Sequence, residues 1–194
     1  MQKKLSLPVI IANSILIVAA FAASMYVIFM EQAPMFQRIY STIDLIILGF
    51  GFFYFLNGYK KDAAVFYKYY TLLFAFRIFL SIISVEALFD AAGVGGFSLK
   101  ILTALLPYTP VLILALVKDL GKKKSLALSG SVFAWYLLCF VVAIVAAAGN
   151  SFGSVLVLLK AMSIIKSATM FVFAALLLVM TIAKYQDKDA RGTT

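Results

Sequence analysis

Residues 125–148 read SLALSGSVFAWYLLCFVVAIVAAA, a stretch of 24 residues that contains no charged side chain. An α-helix rises about 1.5 Å per residue, so this stretch would extend about 36 Å, which exceeds the ~30 Å hydrocarbon core of a bilayer. Hydrophobic residues make up 64% of the chain and charged residues 13%, whereas soluble domains average about 45–50% and about 25%. The sequence therefore predicts an integral membrane protein.

Five further apolar segments lie along the chain, and each is close to or above the ~20 residues that cross a bilayer as a helix. The six predicted segments are 6–30, 39–58, 63–89, 98–117, 125–148 and 154–184. The connections between them are too short to hold a domain. We therefore expect residues 1–194 to form a single transmembrane domain, an all-α bundle of six transmembrane helices.

The positions of the basic residues predict the transmembrane topology of the chain. Eleven of the 17 Lys and Arg residues lie at the two ends of the chain or in the second and fourth connections. Only Arg38 and Lys100 lie on the opposite side, and the other four are inside segments. Because Lys and Arg accumulate on the cytoplasmic side, both termini are predicted to be cytoplasmic, in a bacterial cytoplasmic membrane. This topology explains the net charge of +9, so no nucleic-acid partner is predicted.

Several kinds of chemistry lack their usual residues in this chain. The sequence contains no histidine and one cysteine, Cys139, so we predict neither a metal site nor a cofactor nor a disulfide framework. A serine–lysine catalytic pair, with Ser81 or Ser84 beside Lys166, is compatible with the sequence because a desolvated lysine can act as a base. No spacing requires such a pair, so an enzyme is the weakest of the functional hypotheses.

A charged residue interrupts the third segment, where residues 72–83 read LLFAFRIFLSII. A charge at the centre of a transmembrane helix costs about 2.5–3.5 kcal/mol on insertion scales, so Arg77 is expected to face the bundle interior. Asp44 is the only carboxylate well inside another segment. Counting along the two segments places Asp44 nearer the outer boundary than Arg77, so contact between them would require the helices to tilt or shift.

The sixth segment carries further cations in its outer half. Lys160, Ser163 and Lys166 lie at helical spacing on one face. Together with Arg77, the two lysines outnumber Asp44 by two positive charges, and a buried surplus must be offset by water, a counter-ion or an anionic ligand. The predicted ligand-binding residues of this outward-facing cationic pocket are Asp44, Arg77, Ser81, Lys160, Ser163 and Lys166.

Two functional hypotheses follow from these charges. In the first, the protein is a solute-binding or transport component for a small anionic molecule. In the second, it is a non-transporting interaction, immunity or sensory subunit whose intramembrane charges are structural ion pairs. The fourth segment adds Pro107 and Pro110, which lack backbone N–H groups and predict a kink or hinge.

The first segment contains Ala19 and Ala23, a pair of small residues at a spacing that allows helices to pack closely. In this pair, in its size and in its predicted topology, the chain resembles the substrate-binding subunits of energy-coupling-factor vitamin transporters. Those are small six-helix membrane proteins. The resemblance implies cytoplasmic termini and an outward-facing ligand site. It also implies a membrane-protein partner that contacts the first helix at Ala19 and Ala23.

Overall fold

The structure, a computed structural model, describes residues 7–29, 35–56, 63–87, 95–117, 120–148 and 154–191. Within these ranges, the burial and contacts of side chains are described except at residues 9, 55–56, 63–64, 82–87, 95–104, 146–147, 154–163 and 186–191. The helices are α1 (Leu7–Phe29), α2 (Met35–Leu56), α3 (Ala63–Ala87), α4 (Gly95–Leu116), α5 (Lys122–Ala148) and α6 (Ser154–Arg191). The described residues thus form six helices and no strand, which confirms the all-α prediction.

Several helices extend beyond the apolar segments that predicted them. The sixth segment was predicted to end at residue 184, whereas α6 continues to Arg191. The added residues include no Gly or Pro before Gly192, so no residue in this part of the chain favours a helix end. Similarly, α2 begins at Met35 instead of 39, and α5 begins at Lys122 instead of 125. Hydropathy locates the part of a helix that is apolar, and the helix itself continues into polar sequence.

Within the described residues, four helices contain stretches that are long and apolar enough to cross a membrane: Ile10–Phe29, Met35–Tyr54, Lys122–Val145 and Ile164–Tyr185. In α4 the described side chains supply a shorter apolar stretch, Leu105–Leu116. Large apolar side chains are also exposed on the outside of the bundle, among them Phe29, Phe53 and Val145. Because contiguous exposed apolar surface is unfavourable in water, the chain is a membrane protein whose outer surface suits lipid.

Helix α6 lies at the centre of the arrangement. It packs against α1, α2, α3 and α5, while each helix also contacts its neighbours in the chain. Half of the residues in Ile164–Tyr185 are buried, against 17% in Lys122–Val145 of the peripheral helix α5. The inner face of α6 presents Phe173, Leu176 and Leu177, which are fully buried. The bundle core is therefore built around α6.

Helix α1 uses one face to contact this core. Ile17, Ala20, Ser24 and Val27 are buried, and their spacing of three or four residues is that of one helical face. Ala19 is exposed because it lies away from that face. The contact of Ala19 and Ala23 with a partner protein stays a prediction.

Gly51 permits a close approach between three helices. A Cβ atom at this position would lie 3.1 Å from Leu176 Cδ1 of α6 and 3.7 Å from Ile17 Cδ1 of α1. Small residues are favoured where transmembrane helices pack this closely. Gly51 lies seven residues after Asp44, two turns along the same face of α2. The contact therefore fixes α2 against α6 on the face that carries the buried carboxylate.

Hydrogen bonds and a contact between aromatic rings join α3 to α6. The Tyr70 hydroxyl donates to the Phe173 carbonyl at 2.8 Å, and the Thr181 hydroxyl donates to the Tyr67 hydroxyl at 3.3 Å. The ring of Phe74 contacts the Phe173 ring edge-on, with 5.7 Å between centroids. These contacts hold α3 in a fixed position against α6, and α3 is the helix that carries Arg77.

Candidate functional site

A cavity of about 40 Å³ lies between α1, α2, α3 and α6. It is reached by the last part of α1, the first turns of α2, the second half of α3 and the region of α6 around Lys166. The residues that line it are Ser24, Val27, Gln37, Tyr40, Ser41, Asp44, Arg77, Ile165, Lys166 and Thr169. Seven of these ten side chains are polar or charged, and Tyr40 adds an eighth polar group, its hydroxyl. The cavity is therefore a polar site within an apolar bundle.

Asp44 and Arg77 form a buried ion pair at this cavity. Arg77 Nε donates to Asp44 Oδ1 at 2.7 Å, and the two residues are only 5% and 1% exposed. The sequence indicated that they would meet only if the helices tilted or shifted, and the structure brings them into contact. Both side chains face the bundle interior, as the cost of charges in lipid requires.

The guanidinium group of Arg77 is only partly satisfied by this pair. Its Nε atom contacts Asp44, while Nη1 is buried and has no hydrogen-bond partner among the described residues. The carbon of the guanidinium lies 4.2 Å from the centroid of the Tyr40 ring, a distance at which a cation is attracted to an aromatic face. The Tyr40 hydroxyl donates to the Leu80 carbonyl, which fixes the ring between α2 and α3.

Lys166 brings a second cation to the same ring. Its Nζ atom lies 5.6 Å from the Tyr40 centroid, and the residue lines the cavity and is also exposed. Lys166 can therefore contact both the cavity and the surrounding medium. Among the described residues that line the cavity, Arg77 and Lys166 are positive and Asp44 is negative, which leaves one excess positive charge.

The cavity brings together three of the six predicted site residues: Asp44, Arg77 and Lys166. Ser81 is not among the residues that line it, and its hydroxyl donates to the Ile78 carbonyl at 2.6 Å. The side chains of Lys160 and Ser163 lie outside the described part of the chain, so their place in the site stays a prediction.

The predicted kink in α4 concerns residues away from this cavity. Pro107 and Pro110 both lie inside α4, and neither lines the cavity. The helix runs from Gly95 to Leu116 through both prolines. Membrane helices tolerate proline when neighbouring groups satisfy the carbonyls that lose their partners. The kink or hinge stays a prediction.

Sequence reasoning missed several lining residues, and Gln37, Tyr40 and Thr169 are the most informative of them. Gln37 and Tyr40 precede Asp44 by seven and four residues, so they share its face of α2. Extending that face toward the start of the helix would have identified both. Gln37 was missed because the apolar segment was taken to begin at 39, whereas Tyr40 lies within that segment and on the same face as Asp44. Thr169 lies three residues after Lys166 and continues its stripe.

The alternative of a serine–lysine pair stays a hypothesis; the Ser81 hydroxyl donates within its own helix, to the Ile78 carbonyl. The side chain of Ser84 lies outside the description. No group of three or more His, Cys, Asp and Glu residues that could hold a metal ion occurs in the described part of the chain. The cavity is lined by one carboxylate, two cations and an aromatic ring.

Comparisons of the chain with protein-family models, with curated proteins and with solved structures return no match.

Proposed function

We propose that the chain crosses the bacterial cytoplasmic membrane six times, with both termini in the cytoplasm. Six helices and the spanning length of four of them support this proposal. The asymmetric distribution of Lys and Arg supports the orientation. In this orientation α1 ends, and α2 begins, on the outer side. The cavity, which lies between these parts of α1 and α2, would then be in the outer half of the bundle.

Labelling of single cysteines tests this topology. Cysteines that replace Glu31 and Gly93 should react with a membrane-impermeant thiol reagent added outside cells, and one that replaces Lys123 should react only after the membrane is opened. The natural Cys139 is replaced by Ala in all three proteins. The reverse pattern of labelling would contradict the proposed orientation.

We further propose that the cavity binds a small anion and that the protein is a solute-binding or transport component. One observation carries this proposal: Nη1 of Arg77 is buried and has no hydrogen-bond partner among the described residues. Arg77 and Lys166 both line the cavity. A buried donor without a partner costs about 1–3 kcal/mol, and an excess cation in the membrane interior is unfavourable as well. A bound anion would offset both costs at once.

The volume of the cavity limits the ligand. Sites for drug-sized molecules measure about 300–1,000 Å³, whereas this cavity measures about 40 Å³. That space suits an anion of a few atoms. A molecule as large as the vitamins bound by the resembling transporter subunits would require a rearrangement of the bundle. The proposed ligand class is therefore a small inorganic or one-carbon anion.

The contact between Asp44 and Arg77 favours a second candidate function. The 2.7 Å distance between Nε and Oδ1 is that of a direct ion pair, and such a pair can join α2 to α3 without any ligand. In this alternative the protein is an interaction, immunity or sensory subunit that works through contacts with a membrane-protein partner. Ala19 and Ala23 on α1 would then be candidates for the partner surface.

The two functions differ in how anions affect stability. The full chain in detergent is heated in chloride, nitrate or hydrogencarbonate, at an ionic strength held constant with gluconate, which is too large for the cavity. A ligand at one hundred times its Kd stabilises the folded state by about 2.7 kcal/mol, so an anion site predicts a rise in Tm. Lys166→Met should reduce this rise. The matched control Lys68→Met should retain it, because Lys68 is exposed and does not line the cavity.

If no small anion raises the Tm of the parent protein relative to gluconate, the proposal of an anion site is wrong. If Lys68→Met and Lys166→Met reduce the rise equally, the anions act through general charge screening. Either outcome would favour the structural role of the ion pair.

A further inference from the structure

We propose that the anion bound in this cavity is an oxyanion that also carries an O–H group, such as hydrogencarbonate. This inference rests on the proposed anion site and adds the chemical class of its ligand. It comes from two buried polar atoms that lack hydrogen-bond partners among the described residues: Arg77 Nη1 and Gln37 Oε1. Both residues line the cavity.

The two atoms need opposite partners. Arg77 Nη1 is a donor and requires an acceptor, while Gln37 Oε1 is an acceptor and requires a donor. A halide or nitrate ion only accepts hydrogen bonds, so it would satisfy Arg77 and leave the amide oxygen unpaired. An oxyanion with one protonated oxygen satisfies both atoms, since a negatively charged oxygen accepts from Arg77 and the O–H donates to Gln37.

The charge of the site favours such an anion over a water molecule as the ligand. A water molecule could also accept from Arg77 and donate to Gln37, but it would leave the excess positive charge of Arg77 and Lys166 over Asp44 without a counter-ion. Tyr40 lies beside both cations and carries no charge to offset them. A singly charged anion neutralises the site, so it should be preferred over water in the membrane interior.

The geometry allows Arg77 to bind a ligand without losing Asp44. The ion pair uses only Nε of the guanidinium, and this bond anchors the side chain while Nη1 remains for the ligand. Both Nη1 and Oε1 are covered by neighbouring protein atoms, so binding requires a small rotation of side chains into the cavity. The small volume of the cavity, about 40 Å³, favours an oxyanion of a few atoms.

Hydrogencarbonate and nitrate form a matched pair of probes. Each is planar, carries one negative charge and has three oxygens around a central atom, and they differ in the O–H group. The full-length protein in detergent is titrated with each anion in sealed vessels at mildly alkaline pH, with gluconate to hold the ionic strength. Kd values are obtained from the anion dependence of thermal unfolding.

Hydrogencarbonate should bind about tenfold more tightly than nitrate, the discrimination expected when one buried hydrogen bond is left unmade. Gln37→Met keeps the length of the side chain and removes the amide oxygen, so it should abolish the preference for hydrogencarbonate over nitrate. Thr42→Val is the control on the same helix, because Thr42 is exposed and does not line the cavity. This variant should keep the preference.

The possible results separate this inference from the function on which it rests. Equal affinities for the two anions would overturn the inference while the anion site itself would stand. A preference that persists in Gln37→Met would overturn the role of Gln37. Binding of neither anion would overturn both proposals. If the Gln37→Met protein does not fold, the Gln37→Leu variant, which also lacks the amide oxygen, takes its place in the comparison.

Discussion

The buried ion pair between Asp44 and Arg77 gives the sharpest prediction about stability. Removing one partner of a buried pair leaves an uncompensated charge and costs about 3–5 kcal/mol. We expect a loss of this size in the free energy of unfolding for Asp44→Leu and for Arg77→Met. Both residues are almost completely inaccessible, so the remaining charge would have little contact with water.

Lys166 should make the two losses unequal. The guanidinium carbon and Lys166 Nζ lie 4.2 Å and 5.6 Å from the same Tyr40 centroid, so they are at most about 10 Å apart. At an effective dielectric constant of about 20, two like charges at that separation repel by about 1.7 kcal/mol. In Asp44→Leu this repulsion is no longer offset, whereas in Arg77→Met the Asp44 carboxylate retains an attraction to Lys166. Asp44→Leu should therefore be the less stable variant by about 1–2 kcal/mol.

The double variant completes the test. Replacing both members of a buried pair by apolar residues is often neutral for stability, so Asp44→Leu combined with Arg77→Met should recover most of the loss. The measurement is unfolding of the full chain in mixed micelles of increasing denaturing detergent, followed by circular dichroism. Single variants within about 1 kcal/mol of the parent protein, with additive effects in the double variant, would refute the account of this pair.

Three further predictions concern packing, hydrogen bonding and topology. Gly51→Val should cost about 1–3 kcal/mol of unfolding free energy through overpacking. Gly49→Val, at a position where an added Cβ meets nothing within 4 Å, should be tolerated; equal losses would contradict the close approach at Gly51. Tyr70→Phe removes the hydrogen bond to the Phe173 carbonyl and should cost about 1 kcal/mol, measured in the same unfolding assay; no loss would mean that this bond adds nothing to stability. In the labelling experiment, a cysteine at position 123 that reacts from outside the cell would contradict cytoplasmic termini.

Much of the fold follows from hydropathy, because the cost of exposing backbone groups to lipid leaves the helix as the natural state of a long apolar segment. That argument located all six helices to within several residues. It did not determine their ends, since α6 continues through polar residues to Arg191. Neither could it predict that α6 is central, because this depends on which faces pack together.

The candidate site was predictable in its charges and only partly in its geometry. The cost of burying Arg77 identified it and Asp44 as interior residues from the sequence alone. Their direct contact depends on the relative heights and tilts of α2 and α3, which no periodicity encodes. Gln37 and Tyr40 were missed because the face of Asp44 was not followed as far as the start of α2. Their common face with Asp44 is the signal that identifies them.

The central claim is that Arg77 and Lys166 hold a small anion in the cavity beside Tyr40. The most direct measurement is anomalous diffraction from crystals of the full chain grown in bromide, because bromide is a small anion whose position can be seen independently of the protein atoms. We predict a peak inside the cavity, in contact with the Arg77 guanidinium and the Lys166 ammonium groups, and its loss in Lys166→Met but not in Lys68→Met. A cavity that contains only water or protein side chains, in crystals that hold bromide elsewhere, would contradict the account.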